Sequence, residues 1–351
     1  MKLNKILVVG PLPDYKNMLQ FGGATVLMEN FINYLKGKKI PFGLVQTNRF
    51  SNKVKGCNSL VNSSIWFFIM FFFKIWFYNI ILFNFSDNSV IKKYPILLFI
   101  SKLLGKKVVL HKFGGSFEIT FKELKSRKIN IVKNALNRTD LIFLETLSAI
   151  DHAKKLLKDN ANIIWYPNVR KPTKFKKNPC LFNKKIVFLS HIADTKGIRE
   201  LLAVRKLLDS DYEFNLYGAI KDEKYLNYNW DSDNVFYHGE IKSDLVPSIL
   251  SESSILVLPS YSEGYPGIVI EALSVGLPVI VSNVGGIPEM ITNNKEGILI
   301  PPQDVSALKK AIESVSSDNY SRMCNYALDT FNRKFNSEFI NAKILDALLN
   351  L

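Results

Sequence analysis

The sequence predicts an α/β protein made of two facing, doubly wound parallel sheets, each Rossmann-like, with a cleft between them. Three observations predict it. Strand and helix signals alternate along the chain, the alternation restarts near residue 185, and 351 residues exceed what one core ordinarily encloses. Residues 6–9 form the first strand, closed by the Gly10-Pro11-Leu12-Pro13 turn. Val26, Leu27, Phe31 and Leu35 then recur at helical spacing. Residues 41–47, 80–85 and 107–111 read as strands, and residues 95–104 as a helix ended at Gly105. A strand at 141–144, a helix to about residue 158 and a strand at 162–166 complete the first cycle. Residues 169–184, VRKPTKFKKNPCLFNK, carry two prolines and six lysines or arginines and read as a linker. A second cycle opens with a strand at 185–189. In such sheets ligands bind at the carboxyl ends of the strands.

Composition narrows the partners. Lysine and arginine number 46 against 31 acidic residues, a formal net charge of +15. That excess suits phosphate carriers: a nucleotide, an anionic lipid or a nucleic acid. The chain has no zinc-finger or RNP-like motif, so nucleic acid is not expected as a partner. Cys57, Cys180 and Cys324 are scattered and odd in number, which suits reduced thiols in a cytosolic setting. The opening MKLNKILVVG has too short an apolar run for a leader and reads as a strand. A cytoplasmic protein is the expectation.

The densest functional signal is SYSEGYPGIVIEALSVGLPVIVSNVGGIPEMI, in which seven residues separate Glu263 from Glu271. Gly264, Tyr265, Pro266 and Gly267 form a turn after the first glutamate, and a helix follows over 268–275, stopped at Gly276. Unpaired N–H groups at such a helix start suit a diphosphate. Glu271 is placed to accept hydrogen bonds from a ribose diol, and Glu263 from a sugar ring. A glycosidase would instead set two carboxylates from separate elements across the scissile bond.

This segment resembles the Glu-seven-Glu signature of the retaining, nucleotide-sugar-dependent glycosyltransferases of family 4, which have the GT-B fold. The resemblance covers nearly the whole chain, strongly over 185–315 and diffusely over 1–170. It implies an acceptor-side domain at 1–168, a nucleotide-sugar-binding domain at 185–320 and a helical segment, 321–351, that returns to pack on the first domain. The family carries an arginine and a lysine aimed at the donor diphosphate. Lys196 matches the lysine, whereas His191 stands at the arginine position and lacks a bidentate fork. Gly218 ends a strand beside the nucleotide base, and Gly22-Gly23 lie in a donor- or acceptor-side loop before the first helix. His111, in VVLHKFGGSFEITF, is the candidate for proton transfer, although Phe113 stands where a second histidine can occur. Glu263 joins it in the catalytic site by holding the transferred sugar. No enzymic nucleophile is evident, so the resemblance implies a front-face mechanism with electrostatic support for the leaving diphosphate.

The implied function is transfer of a hexose from a UDP- or GDP-sugar to a glycan acceptor on a lipid carrier. The implied setting is the biosynthesis of cell-surface polysaccharide such as O-antigen, capsule or lipopolysaccharide. A nucleotide-sugar epimerase of the same fold, or a non-catalytic nucleotide-sugar-binding subunit, shares much of this pattern. No cofactor or metal is expected: Asp231-Ser232-Asp233 looks like the metal-binding Asp-x-Asp of the other glycosyltransferase fold but reads as a solvated turn. Residues 65–85 are apolar almost throughout, with 11 of the 21 aromatic, interrupted by Lys74 and Asn79. A helix over 60–78 carries more aromatic surface than one buried face requires, which suggests peripheral docking on an anionic, inner-leaflet membrane surface.

Overall fold

The computed structural model describes residues 5–12, 23–47, 59–114, 126–230 and 234–351. It divides into two compact units, Met1–Asn168 with Ser337–Leu351, and Val169–Asn336.

In the first unit the strands are β1 (Ile6–Gly10), β2 (Phe42–Gln46), β3 (Ile80–Phe85), β4 (Lys107–Lys112), β5 (Leu141–Leu144) and β6 (Ile163–Trp165). They pair in the order β2-β1-β3-β4-β5-β6, all parallel. A parallel sheet needs a crossover between successive strands. The described crossovers include α1 (Gly23–Gly37), α2 (Ser59–Ile75), α3 (Asp87–Lys92), α4 (Tyr94–Leu103), α5 (Ser126–Asn137) and α6 (Leu147–Leu156). Helices on both faces leave β1, β3 and β5 buried at every position, which explains their continuous apolar runs. Phe67, Phe71 and Ile75, four residues apart on α2, form its buried stripe, and Phe71 packs on Phe83 with ring centroids 5.8 Å apart. The remaining aromatic residues described on that helix are largely outward. No helix among the described residues is long and apolar enough to cross a membrane.

The second unit repeats the plan with β7 (Lys185–Leu189), β8 (Glu213–Tyr217), β9 (Val235–Tyr237), β10 (Ile255–Leu258), β11 (Val279–Ser282) and β12 (Gly297–Ile300). The order is β12-β11-β10-β7-β8-β9, again all parallel. Its helices are α7 (Ile198–Arg205), α8 (Val246–Glu252), α9 (Gly267–Val275), α10 (Ile287–Met290), α11 (Val305–Ser314) and α12 (Ser317–Lys334). Strand order reverses between β1 and β3 in one sheet and between β7 and β10 in the other. These are the topological switch points at which doubly wound sheets take ligands.

Residues 169–184, read as a linker, pack with the second unit. Lys177 N–H donates to Val275 O at 2.7 Å and Lys176 Nζ to Ser274 O at 2.7 Å, so a basic run covers the carbonyl end of α9. Residues 321–336 also stay with the second unit rather than returning to the first, because α12 packs on α9 with Leu328 against Gly276. The segment that joins the first unit is α13 (Ser337–Leu349), on which Asn341 Oδ1 accepts from Tyr166 Oη at 2.8 Å. Cys180 and Cys324 are free thiols, and Cys57 lies outside the described residues.

His111, expected as the proton carrier, is an interior residue. It lies on β4, 1% exposed, with Nδ1 3.0 Å from Asn84 Oδ1 and its ring stacked on Tyr166 at 4.5 Å. Both faces of the sheet are covered, so a strand-end position does not bring it to solvent. Burial pushes its imidazole down from 6.5 to about 3. Between those values the unfolded chain binds the extra proton, so the stabilisation from neutral His111 is complete above about pH 6.5 and is lost as pH falls towards 3. The expected limiting slope is about 1.4 kcal/mol per pH unit. Urea unfolding of the wild type and His111→Asn should therefore show a difference in stability that is constant above pH 6.5 and shrinks below it.

Candidate functional site

The site forms where β7 and β10 run side by side and their following loops meet. After β7 the chain makes a 3-10 turn, Asp194–Lys196, and Gly197 follows at φ 77°. A Cβ on Gly197 would stand 2.2 Å from Pro259 O, so the loop after β10 lies directly against this turn. Tyr261 N–H donates to Thr195 O at 2.9 Å. The Tyr261 hydroxyl lies 2.8 and 2.9 Å from the two carboxylate oxygens of Glu200, which is 2% exposed. Asp194, in turn, pairs with Lys224 and accepts from Tyr225 Oη at 2.6 Å; these contacts hold its carboxyl below the usual carboxylate range. The turn is therefore fixed on both sides.

That fixation delivers Lys196 to Glu263: Nζ to Oε1 is 2.6 Å, and both side chains are largely shielded. Behind Glu263 the Gly285-Gly286 turn provides the floor. Gly286 N–H donates to Gly264 O at 2.8 Å, and a Cβ on Gly285 would meet Glu263 O at 1.7 Å. Tyr265 is buried against Phe335 with ring centroids 6.2 Å apart, Pro266 is the N-cap of α9, and Gly267 is its first residue. One turn further, Glu271 Oε1 accepts from Arg170 Nε at 2.6 Å. Each glutamate of the pair thus meets a cation from a different part of the chain.

The other expected residues fall as follows. Gly218 follows β8, and a Cβ there would stand 1.9 Å from Ser190 O. Its carbonyl accepts from Tyr237 Oη at 2.9 Å, which joins the two strand ends expected beside a base. His191 is exposed, and its pKa is lowered by partial burial and by the charges of Lys221 and Lys196. Gly23 opens α1, while Gly22 and the Asp231-Ser232-Asp233 segment lie outside the described residues. His111 is buried within the first unit. Sequence reasoning did not single out Arg170, whose only signal was membership of a basic run. Nor did it find Lys112, 2% exposed, which pairs with Asp87 at 2.7 Å and donates to Gly114 O at 2.8 Å. Among the described residues no cluster of three or more histidine, cysteine or acidic side chains could hold a metal ion.

Residues 169–329 match the family model of the glycosyl transferases group 1. The uncharacterized 41.2 kDa protein in the cps region of Klebsiella pneumoniae is 28% identical over 234 residues, 62% of this chain and 64% of that protein. The UDP-Gal:alpha-D-GlcNAc-diphosphoundecaprenol alpha-1,3-galactosyltransferase of Escherichia coli is 26% identical over 268 residues, 72% of this chain. The chain spans 63% of the length of the latter, so both relatives extend beyond what is matched. Among solved structures, Anabaena HepE in complex with UDP superimposes with a TM-score of 0.74 at 15% identity, covering 99% of this chain and 100% of that one. The fold is thereby that of the GT-B glycosyltransferases, two Rossmann-like domains in one chain.

The floor under Glu263 generates a prediction. Gly285→Ala places a side chain at φ 56° and into a carbonyl, which should destabilise the protein by about 1–3 kcal/mol in urea unfolding.

Proposed function

We propose that this protein is a retaining glycosyltransferase. It moves a hexose from a UDP- or GDP-sugar to a glycan acceptor on a lipid carrier during cell-surface polysaccharide biosynthesis. The observation that carries the proposal is the meeting of Lys196, Glu263, Glu271 and the start of α9 at the switch point between β7 and β10. A diphosphate complements the partial positive charge of the helix start at Gly267 and draws the ammonium of Lys196. Glu271 takes the ribose diol and Glu263 the hydroxyls of the transferred sugar. The acceptor oxygen then bonds to the anomeric carbon on the face the diphosphate leaves. The bond from that carbon to the phosphate oxygen breaks, and the acceptor's hydroxyl proton passes to the departing phosphate. Lys196 and the helix start stabilise the charge that develops there. This path hands the proton to the leaving group and does not call on His111, which is buried. HepE is described in complex with UDP, and the Escherichia coli relative is named for a diphosphoundecaprenol-linked acceptor; both support this substrate class.

The acceptor's lipid accounts for the surface of the first unit. Phe73 and Phe77 on and after α2 are each 71% exposed, Trp76 65%, and Phe99 and Leu103 on α4 63% and 75%. Trp76, Phe77, Leu104, Lys106 and Lys107 line one hollow of about 410 Å³, so apolar and cationic groups sit together as an anionic lipid surface requires. The reading is a protein docked peripherally at the cytoplasmic face of a membrane.

Lys196→Ala and Glu271→Ala should each lower transfer by more than about a hundredfold while leaving the chain folded. Mass spectrometry of products from a nucleotide-sugar panel and a membrane lipid extract measures this. Wild-type turnover in both variants contradicts the proposal, and an isomerised free donor without glycosylated lipid points to an epimerase. Separately, Phe73→Ser with Phe77→Ser should reduce flotation with anionic vesicles by about tenfold or more, given the apolar area removed. Soluble-acceptor turnover should be unchanged.

A further inference from the structure

We propose that Arg170 is a cationic ligand of the donor's diphosphate and supplies the guanidinium that position 191 lacks. This rests on the donor-site reading above and adds a residue to it.

The backbone of Arg170 is fixed. Its N–H donates to Phe335 O at 3.0 Å, and it forms a parallel β-bridge with Asn336. From that anchor the side chain, 13% exposed, reaches the start of α9. Nε donates to Glu271 Oε1 at 2.6 Å and Nη1 to Val169 O at 3.0 Å. Nη2 lies against Gly267: a Cβ built there would stand 1.8 Å from it. One guanidinium therefore touches both the glutamate assigned to the ribose and the first residue of the helix assigned to the phosphates.

The electrostatics of this placement favour an anion. A helix start carries partial positive charge and is ordinarily complemented by an acidic side chain. The first turn of α9 has no acidic residue, and its N-cap is Pro266, with no side-chain cap. A fixed arginine adds positive charge where the dipole already disfavours it. Glu271 meets this charge through one oxygen, and a diphosphate at the same helix start would take charge-assisted, fork-like contacts. His191 is a poor substitute, because partial burial and the charges of Lys221 and Lys196 hold its pKa below the usual histidine value. Gly267 completes the arrangement by leaving the space that Nη2 occupies.

The test compares a ligand with the diphosphate and one without it. Calorimetry gives the affinity of UDP, and ligand-observed NMR that of uridine, for the wild type, Arg170→Gln and Gly267→Ala. GDP and guanosine replace them if the wild type prefers guanine. Arg170→Gln should weaken UDP by about tenfold or more and leave uridine within about twofold. Gly267→Ala has an ordinary backbone conformation and displaces only the far end of a flexible side chain, so it should fold and show the same pattern. Combining the two should add little, since both remove the same contact. Equal weakening of UDP and uridine overturns the proposal, because Arg170 would then act only by orienting Glu271. Unchanged UDP affinity in Arg170→Gln also overturns it. If Lys196→Ala leaves UDP affinity untouched, or the wild type binds neither nucleotide, the donor-site reading fails as well. If Lys196→Ala weakens UDP and Arg170→Gln does not, the failure belongs to Arg170 alone.

Discussion

Where β7 and β10 lie side by side, the Cα of Gly197 is so near Pro259 that a Cβ would stand 2.2 Å from its carbonyl oxygen. Almost every feature of the candidate site depends on that approach. It lets Tyr261 N–H reach Thr195 O and the Tyr261 hydroxyl reach the buried carboxylate of Glu200. With the two loops tied, the 2.6 Å contact between Lys196 and Glu263 follows from backbone placement rather than from chance meeting of long side chains. The same logic applies beneath, where Gly285 leaves room for Glu263 O. A parallel sheet with both faces covered has little other place for polar chemistry, so the chain concentrates it at the strand ends.

Much of this was legible in the sequence because the signals are local. The strand read at residues 256–259 and the apolar run at 279–283 sit between turn formers, and the observed strands, Ile255–Leu258 and Val279–Ser282, match them to within a residue at each end. The SEGYPG turn, the following helix and its stop at Gly276 depend on neighbours within a few residues, and α9 covers Gly267–Val275. Turn chemistry and periodicity are therefore enough to place Glu263 in a loop and Glu271 one helical turn beyond it.

What escaped was set by distant contacts. Arg170 lies in a basic run that resembles solvated linker, and its placement requires Phe335 and Asn336, far along the chain. Residues 321–336 looked like part of a returning segment, but whether a helix packs on α9 or elsewhere depends on the fit of Leu328 at Gly276. For His111, a polar residue at a strand end suggests a site, while its packing against Asn84, Phe113 and Tyr166 depends on residues far apart in the chain. Lys112, next along β4, is likewise interior, where Asp87 offsets part of the cost of burying its charge.

The most direct measurement is a crystal structure of the protein grown with a nucleotide diphosphate. The account predicts density for the diphosphate against Gly267 and its neighbours, within hydrogen-bond reach of Lys196 Nζ, with the ribose diol on Glu271. A nucleotide bound away from the ends of β7 and β10, with Lys196 still on Glu263 and no ligand at the start of α9, would contradict it.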